Sequence, residues 1–289
     1  MKTKIETITP DSALQVLENH NPRNRHISEA TVQSYATDMK NGRWLVTHQG
    51  IAFDEKGDLI DGQHRLWAVI FCGKPVDMNV TREIPLSALK NGIELYTMDT
   101  IDRGRLRSVG QQLALCHGIA NSNQVTAACR AIACAIYTNR TLQKLSTANV
   151  LIIMESYYHD IERVLAALEN RKRLGFIVGT LAMYHHGEPQ KAELFCHQIS
   201  TLEELSPAAR AFVKFLDRPQ VGRQNYEQNI RTSAQSIWNF HKGNDVKVAF
   251  DANNGRDFLC SMFPSISKKI REALRPCEVK GFKEFKNKN

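Results

Sequence analysis

The sequence predicts an α+β protein, with a small mixed αβ N-terminal domain followed by an all-helical C-terminal domain. Three observations predict it. Short apolar runs punctuated by turn residues fill the first hundred positions, whereas glycine and proline thin out after about residue 106 and long stretches of 3.6-residue period take over. A hydrophobic content of 42% with 24% charged residues is that of a globular chain with a sizeable core. A length of 289 residues suits two domains of ordinary size, placed at 1–105 and 106–289.

The N-terminal elements follow from local chemistry. Ile5 to Ile8 reads as a strand, and Thr9-Pro10-Asp11 opens a helix carrying Ala13, Leu14, Val16 and Leu17. Asn21-Pro22-Arg23-Asn24-Arg25 is a polar, basic loop. Ser28 with Glu29 caps a helix bearing Val32, Tyr35, Ala36 and Met39, and Asn41-Gly42 ends it. Ile51 to Phe53, the turn Asp54 to Asp58, and Leu59-Ile60 form a hairpin that runs through Gly62 into a helix. Cys72-Gly73-Lys74-Pro75 breaks that helix, Val76 to Val80 alternates as a strand, and Ile93 to Met98 reads as another. The C-terminal domain reads as helices at 109–119, 125–137, 148–170, 176–184, 191–199, 207–216, 225–240 and 266–274, ending in a lysine-rich tail from Lys280.

Asp61-Gly62-Gln63-His64-Arg65 is the segment richest in chemistry. A helix that starts at a glycine leaves its first N–H groups without intrahelical partners and presents its positive dipole end, a ready anion site. Gly62 lets a phosphate approach the backbone, and Arg65 can grip phosphate oxygens in bidentate fashion. His64 is a phosphate donor or general acid. Asp61 serves as a metal ligand, an orienting partner for Arg65 or a turn cap, and Gln63 as a hydrogen-bond donor to a base or sugar. Each has a plainer structural alternative: a turn glycine, a surface ion pair, a satisfied histidine. Trp44 and Trp67 read as core residues.

Taken together these residues resemble the ParB/sulfiredoxin superfamily, specifically the phage and prophage ParB N-terminal-domain-like proteins with a DGQHR motif. The resemblance runs from about Asn21 to Arg107. Asn21-Pro22-Arg23-Asn24-Arg25 stands where ParB proteins carry an Asn-Pro-x-x-x-Arg box, and Gly62 to Ala68 fits the G-x-x-R-x-x-A phosphate motif of the ParB CTP pocket. Asp61 to Arg65 is similar to the DGHHR element of the superfamily's free-serine kinases and to the GCHR element of sulfiredoxin. Asp99 to Arg107 looks like the segment that follows the domain in the phage proteins.

The resemblance implies a nucleoside triphosphate ligand, CTP or ATP, with Mg2+ accompanying it, and action at DNA as a slow NTPase switch. It places Arg23 and Arg25 over the nucleotide or on DNA, Thr47, His48 and Gln49 along the pocket, and Asp102, Arg105 and Arg107 at its completion or at an interdomain hinge. Two alternatives stand beside it: a phosphotransferase in which His64 and Asp61 act on a small-molecule or DNA hydroxyl, and a DNA-binding adaptor with a vestigial pocket. Gln63 occupies the position of sulfiredoxin's cysteine, and an amide is no nucleophile. The kinases' catalytic glutamate would come from the early box, where this chain has Asn24 and Arg25, with Glu29 the nearest carboxylate.

Net charge and cysteine usage set the compartment and partners. A formal net charge of +8 favours polyanions, nucleic acid first. Seven cysteines without a C-x-x-C pair read as reduced thiols, with Cys72, Cys116, Cys129, Cys134 and Cys196 in the core. No signal peptide and no membrane-length apolar run is expected, which reads as a cytoplasmic protein; the resemblance to phage proteins implies the cytoplasm of a bacterial host, and a homodimer is among the expected partners. His185-His186 and Cys196-His197 lack the spacing of a zinc site, and no carboxylate cluster suits a two-metal nuclease.

Overall fold

A computed structural model describes residues 1–22, 26–90, 93–97, 108–137, 145–169, 173–218, 226–243 and 254–277. The fold is α+β. The chain divides into two compact units, Met1–Leu106 with Arg275–Asn289, and Arg107–Leu274.

The first unit is a four-stranded sheet covered by helices. Its strands are β1 (Lys2–Ile8), β2 (Ile51–Asp54), β3 (Leu59–Asp61) and β4 (Val76–Ile84), in the order β1-β4-β2-β3. β4 lies antiparallel to β1 and parallel to β2, and β2 and β3 form the antiparallel hairpin. The helices are α1 (Pro10–Asn19), α2 (Glu29–Lys40) and α3 (Gln63–Cys72). Thr9 caps α1 in a reciprocal capping box with Ser12, and the Ser28 side chain accepts from Thr31 N–H at the start of α2. Both α1 and α2 pack on α3. The core joins Ile51, Phe53, Leu59, Met78 and Val80 of the sheet to Leu66, Trp67 and Val69 of α3 and to Val32 and Ala36 of α2. Each fully buried Val, Leu, Ile, Phe or Met among these stabilises the fold by roughly 1.5–3 kcal/mol.

Two strands extend beyond expectation, because β1 begins at Lys2 and β4 runs on to Ile84. A separate two-stranded ribbon, β5 (Ser87–Lys90) with β6 (Ile93–Tyr96), contains one strand that the sequence pattern does not predict.

The second unit is helical: α4 (Val109–His117), α5 (Ser122–Ile136), α6 (Thr147–Ala167), α7 (Gly175–Gly187), α8 (Pro189–Thr201), α9 (Pro207–Leu216), α10 (Tyr226–Lys242), α11 (Asn254–Met262) and α12 (Pro264–Ala273). α7 is buried from Phe176 to His185 and is the central helix. It packs most closely on α5, where a Cβ on Gly179 would stand 2.5 Å from the Ala128 carbonyl oxygen and 2.7 Å from Ala131 Cβ. The last carbonyls of α5 are taken by arginines from later helices: Arg256 donates to Ala135 and Arg271 to Ile136. α11 is an addition to the sequence reading.

The C-terminal boundary differs from that reading, which put residues 106–289 in one helical domain. Cys277 lies in the first unit, 3% exposed within its core. Its N–H donates to Thr37 Oγ1 (3.0 Å), its carbonyl accepts from Gln33 Nε2 (3.3 Å), and its thiol donates to the Phe71 carbonyl (2.9 Å). Cys116 is a second correction: it is exposed, in the last turn of α4 beyond the buried Gly110 and Leu113. Every cysteine of the described residues is a free thiol. Among these residues no helix is long and apolar enough to cross a membrane.

Candidate functional site at the start of α3

The β2–β3 hairpin aims the chain at the site. Asp54, buried, accepts N–H bonds from Lys56 (2.9 Å) and Asp58 (2.8 Å), which closes the turn, and Gly57 takes φ +88°. At the far end of β3 the chain swings into α3 through Gly62, at φ +107°. Its carbonyl accepts the N–H groups of Arg65 (2.9 Å) and Leu66 (3.0 Å) to begin the helix. A Cβ there would lie 3.1 Å from Ile51 Cα, so the close approach of strand and helix also requires glycine.

Four side chains act around this turn. Asp61 Oδ1 accepts the N–H of Gly62 (2.7 Å), and its Oδ2 lies 3.7 Å from Arg65 Nη1. Arg65 is only 14% exposed, and the same Nη1 donates to the Gly50 carbonyl (2.9 Å). Gly50 is itself pressed on β4, since a Cβ would fall 1.6 Å from the Asn79 carbonyl oxygen. Arg65 therefore braces the start of β2 against α3 and is oriented by Asp61. Gln63 is buried, 4% exposed. His64 is half-buried, and its Nε2 accepts the backbone N–H of Ser28 (2.9 Å). With Nε2 an acceptor, the neutral ring carries its proton on Nδ1. Its Nε2 lone pair is thus used by Ser28.

The Ser28–His64 bond draws the first turns of α2 and α3 together, so two positive helix-dipole ends converge. Sequence reasoning found Asp61 to Arg65 and read Ser28 only as a cap; Gly50 carried no signal beyond being glycine before a strand. His48 is exposed two residues before Gly50, its carbonyl accepting from Asn79 Nδ2 (3.1 Å), and Thr47 and Gln49 beside it are also exposed. The polar stretch 47–49 precedes β2, as expected from its place before the first hairpin strand. Arg23, Arg25, Asp102, Arg105 and Arg107 lie outside the described residues.

Other reactive groups are tied down. Trp67 is buried and stacks on Phe71, while Trp44 packs edge-on against Tyr35. Burial pushes the Cys72 thiol up, and it donates to the Val69 and Lys74 carbonyls, so it is no activated nucleophile. Burial likewise pushes Cys129 and Cys196 up to about 12. In the helical unit Asp160 is buried between His185 Nδ1 (2.7 Å) and His186 Nδ1 (2.6 Å), and Glu193 stands 3.6 Å from His185 Nε2. Among the described residues no group of three histidine, cysteine or acidic side chains is placed to hold a metal ion. A pocket of about 160 Å³ at the start of α5, with Glu162 and Arg173 as its charged lining, is remote from Asp61 to Arg65 in sequence and belongs to the helical unit.

Comparison of the chain with protein-family models, with curated proteins and with solved structures returned no match.

Proposed function

We propose that the start of α3 is a phosphate site for a nucleoside triphosphate, CTP or ATP, in a ParB-like protein that acts at DNA. The observation that carries this reading is the Ser28–His64 hydrogen bond, which brings the positive ends of α2 and α3 to one place. An anion there meets two helix dipoles, a glycine without a Cβ and a charged guanidinium oriented by Asp61. Mg2+ fits as a companion of the triphosphate oxygens rather than as an ion in a protein cage, because the motif offers one carboxylate and that carboxylate is engaged by Gly62 N–H and Arg65. The DNA part of the reading is supported by the net charge of +8. The phosphotransferase alternative has weaker support, since a base at His64 Nε2 would first have to give up its bond to Ser28.

The test is equilibrium binding of radiolabelled CTP, ATP, GTP and ADP to the full chain, with and without duplex DNA. Saturable triphosphate binding is expected, weakened roughly tenfold or more by Arg65→Ala, the loss of a charge-assisted contact. Because Arg65 also braces Gly50, thermal unfolding of the ligand-free variant separates lost folding from lost binding. Absence of binding by any nucleotide removes this reading, and label transferred to a third molecule replaces it with phosphotransfer. DNA affinity should fall steeply with salt; a flat response makes the charge incidental.

A further inference from the structure

The four-stranded sheet has two edges, and the chain treats them differently. β3 spans three residues, and the N–H of Leu59 is taken by the His20 carbonyl (2.7 Å), so a loop covers that edge. β1 spans seven residues with β4 on one side only. On its other side none of its backbone groups is bonded to a described residue. Lys2 to Ile5 and Thr7 are exposed, and Ile5, at the middle of the strand, is 68% exposed. An open edge of this length is a template for a further strand.

We propose that β1 pairs with β1 of a second copy of this chain, antiparallel about a two-fold axis at Ile5, so that two four-stranded sheets become one. Residues directly opposite in an antiparallel pair share a face, so a two-fold axis perpendicular to the sheet sets one residue against its own copy. Pairing all seven residues of Lys2–Ile8 makes Ile5 that residue. The register then sets Lys4 against Glu6 of the second copy, Thr3 against Thr7 and Lys2 against Ile8, each twice by symmetry. Centring on Lys4 or Glu6 would oppose like charges at the axis, and centring on Thr3 would set Lys2 against Lys4. Arg82 holds the Glu6 carboxylate at 2.8 Å on the sheet face that Lys4 shares. Lysines alone on an edge repel a second strand. Here an acid placed symmetrically to Lys4 about the strand centre turns that repulsion into attraction, in one register.

Sedimentation velocity of the full chain with a free N-terminus tests this across a wide concentration range. The wild type should associate to a dimer as concentration rises. Lys4→Glu sets acid against acid and Glu6→Lys sets base against base, and each should weaken the dimer about tenfold or more, since two cross-strand charge pairs are reversed. An equimolar mixture of the two variants restores complementary pairing and should associate as the wild type does. Amide exchange of β1 in the wild type should slow with concentration, a readout that needs no variant. A wild type monomeric up to millimolar concentration overturns the proposal. So does a dimer indifferent to both substitutions, or a mixture no stronger than its components.

Discussion

At Gly62 two constraints coincide: a φ of +107° and a would-be Cβ 3.1 Å from Ile51 Cα. At Gly57 only the first holds, with φ +88° and nothing within 4 Å. The pair separates backbone strain from crowding. Gly57→Ala should cost about 1 kcal/mol, the left-handed penalty alone. Gly62→Ala should cost roughly 2–4 kcal/mol, since overpacking adds to it. Urea unfolding followed by tryptophan fluorescence checks both, and equal costs would show that Ile51 yields freely. The sequence singled out the candidate residues Asp61 to Arg65 but not their bonds. His64 announces itself as a donor, yet its Nε2 accepts from Ser28, thirty-six positions away. Arg65 announces a phosphate grip, yet its Nη1 holds the Gly50 carbonyl. A side chain's partners depend on chain separations that local pattern does not encode.

Helices and strands were legible wherever apolar spacing or capping chemistry governed them. α9 falls on Pro207–Leu216 as its periodicity predicts, and Thr9 and Ser28 cap α1 and α2. α11 escaped because Asn254-Gly255-Arg256-Asp257 carries turn residues, and Gly255 is there for packing: a Cβ would stand 2.5 Å from the backbone of Ala234 and Gln235. β5, Ser-Ala-Leu-Lys, shows no strand-like enrichment and is set by its partner β6. The seam between α5 and α7 leaves no room for a side chain at Gly179. Alanine is the better helix former by about 1 kcal/mol, but at Gly179 its methyl would meet the Ala128 carbonyl at 2.5 Å. Gly179→Ala should therefore destabilise by a net of about 2 kcal/mol, measured as a lowered urea midpoint. A raised midpoint would mean that α5 and α7 part without cost.

For the molecule as a whole, the least legible feature was the return of Cys277 to the first unit, a partnership with Thr37 across 240 positions. Nothing near Cys277 in the sequence signals it, because the groups that receive it belong to α2 and α3. Its three hydrogen bonds and its burial are worth roughly 2–3 kcal/mol together. A chain ending at Leu274 should thus show faster amide exchange in α2 and α3 than one ending at Cys277, by about that free energy, with α5 and α7 unchanged. Equal protection would make the return incidental. The return also sets a timetable. On the ribosome the strands and helices of the first unit emerge before any of the helical unit, yet Cys277, whose backbone bonds α2 and whose thiol bonds α3, is made only after all of α12. Of the two units, the one whose strands and helices are made earlier is therefore the later to be completed.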